Sequence, residues 1–76
     1  MTNIHVLDSV AEIARTLIDL TELASLRRSD KDNSLDTYAR LNYAIMSMKE
    51  ASLYLERVLE DAGYAGEIPT IGDEND

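Results

Sequence analysis

The stretch Leu41–Leu59, LNYAIMSMKEASLYLERVL, decides the fold. It holds no Gly or Pro, and its apolar residues recur at helical spacing. Tyr38, Leu41, Ile45, Met48, Ser52, Leu55, Leu59 and Ala62 advance by alternate steps of three and four, which draws one seam along a helix. Ala44, Ala51 and Val58 flank that seam and are small enough to admit a close neighbour. Tyr43, Met46, Leu53 and Tyr54 form a second stripe on a different side. A helix with a single partner needs only the first seam, so the second stripe requires its own explanation.

Working toward the N-terminus, Ser34 is suited to cap this helix, and Asp36 in the first turn complements its dipole. Working toward the C-terminus, Gly63 is suited to stop it. The second helix is thus expected over about 35–62, roughly 40 Å long. Before it, Ser29-Asp30-Lys31-Asp32-Asn33-Ser34 has no apolar member and reads as a loop over 29–34.

The first helix is expected over about 8–28. Ser9-Val10-Ala11-Glu12 has the S-x-x-E form of a capping box. Leu7, Val10, Ala14, Leu17 and Ala24 supply its apolar face, widened by Ile13, Ile18 and Leu20. Arg27 and Arg28 close it where cations suit the helix C-terminus. Residues 1–62 therefore read as one all-α unit, an antiparallel helical hairpin. Residues 63–76, GYAGEIPTIGDEND, read as a mobile acidic tail, with Ile68 and Ile71 free to dock on a neighbour.

With 76 residues the chain is near the lower size limit for a self-sufficient core. It has no cysteine, so no disulfide or thiolate metal site can reinforce it. A hairpin of this size is expected to gain burial by assembling into a homo-oligomeric helical bundle. Met46, Leu53 and Tyr54 are the expected interface, with Leu23 and Leu26 of the first helix on the outer side. The alternative is that the tail or the N-terminal Ile4 and Val6 cover this stripe within one chain.

Net charge is −8, which disfavours direct DNA or RNA binding through the phosphate backbone. No apolar run is long enough to span a membrane and no signal-peptide pattern is present, so a cytoplasmic protein without a membrane partner is expected. The chain has one histidine, His5, near its end, too little for a Ser-His-Asp arrangement. No H-E-x-x-H, phosphate-binding Gly loop or EF-hand loop occurs. Asp30-Lys31-Asp32-Asn33 lacks the Gly and distant Glu of a calcium loop. Glu50, Glu56 and Glu60 read as a solvated helix face. No enzyme activity, metal or cofactor is expected.

The scarce cations are distributed unevenly. Arg27, Arg28 and Lys31 gather at the hairpin end, with Arg15 further back and Arg40 early in the second helix. Arginine forks suit phosphate, and Tyr38 and Tyr43 offer flat faces for a base. Arg15, Arg27, Arg28, Tyr38, Arg40 and Tyr43 are the candidate ligand-binding residues, converging from two chains on one compact phosphorylated ligand. The alternative is helix capping and solubility.

The second helix also resembles the signature of the phage anti-CBASS and anti-Thoeris cyclic-nucleotide sponges. That signature runs approximately L-S-L-A-I-T-K-L-E-E-A-x-M-W-x-x-K-A-I. Leu41, Ala44, Ile45, Glu50 and Ala51 agree in identity, and Met48, Leu53, Tyr54, Arg57, Val58 and Leu59 agree in character. The likeness covers about a quarter of the 76 residues. Ser47 stands where the family often has Lys or His, Lys49 replaces a Glu, and Tyr54 replaces a Trp. The resemblance implies a non-enzymatic homo-oligomer that sequesters cyclic di- or trinucleotides, or cyclic ADP-ribose signals, in pockets between protomers. It would act in the host cytoplasm and keep an immune effector switched off. Two other readings stay open. One is an acidic inhibitor of a host protein, of anti-CRISPR or DNA-mimic type, using Asp8, Glu12, Asp19, Glu22 and the tail acids. The other is a structural assembly module whose second stripe takes a partner helix.

Overall fold

The computed structural model describes residues 4–71. They form two helices, α1 (Ile4–Arg28) and α2 (Leu35–Asp61), packed against each other as a hairpin. No strand occurs among the described residues.

Helix α1 begins at Ile4, a full turn before the S-x-x-E signal. Ser9 therefore lies inside the helix, exposed, and is not its cap. The seam explains the extension. Leu7 and Val10 are half-buried, and Ala11 and Ala14 are buried. Packing on α2 holds the helical turn that precedes the local capping pattern. At the other end, Ser29 N–H returns to the carbonyls of Ser25 and Leu26. The Asn33 side-chain amide donates to the Arg27 carbonyl at 2.6 Å. The Arg27 carbonyl also accepts from Asp30 N–H at 3.1 Å, so the Asn33 amide is its second donor at the helix end.

Helix α2 starts at Ser34, whose backbone is extended and whose Oγ accepts from Thr37 N–H at 3.1 Å. Its end is a reverse turn through Gly63, at φ 69. Gly63 N–H donates to the Glu60 carbonyl at 3.1 Å, and Tyr64 N–H to the Leu59 carbonyl at 3.0 Å. That bond pair, with a left-handed Gly, is the Schellman ending.

Few side chains are fully buried. Among the described residues the buried side chains are Ala11, Ala14 and Thr21 of α1 and Ile45, Ser52 and Leu59 of α2. Thr21 Oγ1 returns to the Leu17 carbonyl at 2.7 Å. Ser52 Oγ is buried and makes no hydrogen bond. Leu17, Ile18, Leu41, Met48 and Leu55 are half-buried, and the outermost seam positions, Tyr38 and Ala62, are exposed. The smallest dimension of the molecule is 14 Å, little more than the ~10–12 Å width of one helix. Every residue off the seam therefore reaches the surface. Ile13 and Leu20, read from sequence as widening the buried face, are exposed with Val6 along one flank.

Residues 63–71, after α2, stay against the hairpin. Tyr64 Oη donates to Asp8 Oδ1 at 2.7 Å. Gly66 makes room for that ring, since a Cβ there would stand 2.8 Å from it. Ile68, Pro69 and Ile71 are half-buried. Ile71 lies in a groove of about 600 Å³ with Ile18, Thr21 and Ser25 of α1 and Lys49 of α2. The mobile tail expected from composition is, over residues 63–71, a strap along one flank. Its contacts, the Tyr64–Asp8 bond and the seat of Ile71, are long-range and leave no local mark in the sequence. Asp73, Glu74 and Asp76 lie outside the described residues.

Candidate functional site

The six candidate ligand residues fall in three places. Arg27 and Arg28 end α1 beside the turn. Arg28 is half-buried, and its Nη1 donates to Asn42 Oδ1 of α2 at 2.5 Å. This contact crosses the seam and ties Arg28 to α2, leaving its other guanidinium donors uncommitted by that bond. Tyr38 lies one turn before Asn42 on the same side of α2 and is partly covered, 48% exposed. Arg27, Arg28 and Tyr38 thus share the turn end.

Arg40 and Tyr43 belong to a second place. Tyr43 follows Tyr38 by five residues, about 140° around the helix, so the two rings cannot sandwich one base within a chain. Arg40, three residues before Tyr43, is its neighbour on the outer surface. Its Nε pairs with Asp36 at 3.0 Å, with both side chains largely in solvent. Such exposed i,i+4 pairs contribute about 0.3–0.5 kcal/mol, little enough for a phosphate to displace.

Arg15 is alone in the third place. Twelve residues separate it from Arg27, roughly 18 Å along α1. It stands close enough to the Tyr64 and Asp8 pair for its charge to act on the phenol. The Tyr64 hydroxyl titrates above its ordinary value, chiefly because it donates to Asp8. Partial burial and the Asp8 charge add to the effect, and Arg15 opposes it. One chain therefore does not bring Arg15 and the turn-end arginines onto one anion.

Sequence reasoning did not single out Asn42, Lys49, Asp8 or Tyr64 as contact makers. Gly63 followed by an aromatic was the available signal for Tyr64. Nothing in the local pattern marked Asn42. Asp30 and Asn33, in the loop run considered for cation binding, are used by the turn itself. Asp30 accepts from Asp32 N–H at 2.9 Å, and Asn33 caps α1. Among the described residues no cluster of three His, Asp or Glu side chains is arranged to hold a metal. None of the helices is long and apolar enough to cross a membrane.

The outer face of α2 is bare. Tyr43 is 74% exposed, Tyr54 67%, Met46 61% and Leu53 57%. The strap over residues 63–71 leaves them exposed. Leu23 and Leu26 are likewise exposed on α1. Glu50, Leu53, Tyr54 and Arg57 line a shallow hollow on this face. No protein-family model matches the chain, and no curated protein or solved structure is significantly similar to it.

Proposed function

We propose that the protein is a non-enzymatic anti-defence protein of phage type that assembles as a homo-oligomer in the host cytoplasm. There it sequesters a cyclic di- or trinucleotide, or a cyclic ADP-ribose type signal, between copies. The observation that carries the reading is the bare outer face of α2, set beside a core in which, among the described residues, Ile45 and Leu59 are the large buried side chains. Exposed apolar stripes of this extent mark interaction surfaces. A hairpin with so small a core gains most by burying them on its own kind. The dispersal of the arginines supports the same reading. A phosphate site using Arg40 and Tyr43 from one chain has to be completed by a second. The ligand class comes from the resemblance in α2.

The test is light scattering to fix the mass, followed by thermal unfolding with cyclic di- and trinucleotides and cyclic ADP-ribose isomers. A ligand at 100 times its Kd adds about 2.7 kcal/mol per site, several degrees for so small a domain. The ligand is expected back intact after heating, and Tyr43→Ala or Arg40→Ala should weaken the shift. A protein that shows no shift with any of them is not such a sponge.

One observation favours a second reading. Asp8, Glu12, Asp19 and Glu22 are exposed within about a quarter turn of one another on α1. This acidic stripe suits an inhibitor that occupies a basic groove of a host protein, and salt-sensitive capture of a nuclease would be its sign.

A further inference from the structure

The outer face of α2 has a periodicity of its own. Ala39, Tyr43, Met46, Glu50, Leu53 and Arg57 advance by four, three, four, three and four, and all six are exposed. This is a second seam, nearly opposite the first, and two of its six positions carry opposite charges. Glu50 and Arg57 are seven residues apart, roughly 10 Å along one face, too far to pair within the helix. Arg57 makes only a long contact to Glu60, at 3.9 Å with both side chains substantially exposed. Glu50, Leu53, Tyr54 and Arg57 together line the hollow on this face.

We infer that the occupant of this face is the same face of a second copy, packed antiparallel about a twofold axis between Leu53 and Tyr54. The register follows from the charges. In an isologous contact each residue meets the partner position reflected through the axis. The midpoint of positions 50 and 57 falls between Leu53 and Tyr54. Glu50 of each copy then lies against Arg57 of the other, twice. Leu53 of each copy meets Tyr54 of the other at the centre. A parallel pairing in register sets Glu50 against Glu50 and Arg57 against Arg57, and like charges exclude it. Partly buried charges on an otherwise apolar seam cost stability and select register and orientation.

This inference rests on the self-association proposed above, and the experiment separates the two. Wild type, Glu50→Arg, Arg57→Glu and the double variant are measured by sedimentation velocity at matched concentrations, with helix content followed by circular dichroism. Each single reversal sets like charges together at both contacts and is expected to lower the mass. The double variant restores both pairs and the mass. Mixing the two single variants in equal amounts should also restore association, because each supplies the charge that the other lacks. The recovery is diagnostic even where dissociation unfolds the hairpin, since helix content returns with mass. Wild type that is monomeric at 100 times the concentration of the assay overturns both the self-association and this interface. Wild type that associates while single reversals leave the mass unchanged, or while neither the double variant nor the mixture recovers, overturns this register alone.

Discussion

The phenol of Tyr64 donates to the carboxylate of Asp8 across 56 positions of sequence, at 2.7 Å. That bond turns the segment after α2 into a strap and gives it a titratable lock. The Tyr64 hydroxyl ionises above its ordinary value of 10.0. The folded state therefore holds this proton more tightly than the unfolded chain does. The stabilisation is complete below the unfolded value and is lost as pH rises through the folded one. An ultraviolet titration should contain a tyrosine component later than the ordinary value. Tyr64→Phe should remove that late component and leave the α-helix content at neutral pH unchanged.

Gly66→Ala tests the same strap from the other side. A Cβ there meets the Tyr64 ring at 2.8 Å, so the ring or the strap has to move. Faster amide exchange in residues 64–71 is expected, with no change in the middle of α2. Unchanged exchange would show that the strap absorbs the methyl group without releasing Tyr64.

Ser52→Ala should stabilise the hairpin. Ser52 Oγ is buried without a hydrogen-bond partner, and an unsatisfied buried hydroxyl costs about 1–3 kcal/mol. Alanine keeps the close approach of the helices and removes the polar atom. Urea unfolding should show a midpoint displaced upward with little change in slope. A downward displacement would mean that the hydroxyl is satisfied after all.

Leu59→Ala has the opposite sign. Leu59 is fully buried, and such truncations cost about 2–5 kcal/mol. That is comparable to the ~3–5 kcal/mol a core of this size supplies. The variant should lose most of its helical circular dichroism at 37 °C. A cooperative transition close to that of wild type would show that the seam around Leu59 contributes little.

How much of this was legible beforehand differs from element to element. Helix α2 announces itself, because its seam period, its Ser34 cap and its Gly63 stop agree with one another. The start of α1 does not. The S-x-x-E pattern at Ser9 is a local preference, and the packing of Leu7 and Val10 outweighs it. The strap depends on a partner 56 positions away, which no window of sequence contains. The candidate site suffers in the same way. Arg28, read as free to meet a ligand, is engaged by Asn42. Tyr38 and Tyr43 look adjacent in sequence, yet helical rotation sends them to different surfaces. The bare stripe of α2 was legible because it depends on periodicity alone.

The turn between the helices also sets an order of events. Its bonds span at most six positions, from Asn33 back to Arg27, and the Ser34 cap reaches only to Thr37. Short loops close at little entropic cost, so this end can nucleate first. Pairing then propagates along the seam, from Arg28 and Asn42 toward Ala11 and Leu59, as a zipper closes. The phenol of Tyr64 can find Asp8 only when that run is complete. Among the described residues the strap is therefore expected to form last and to let go first.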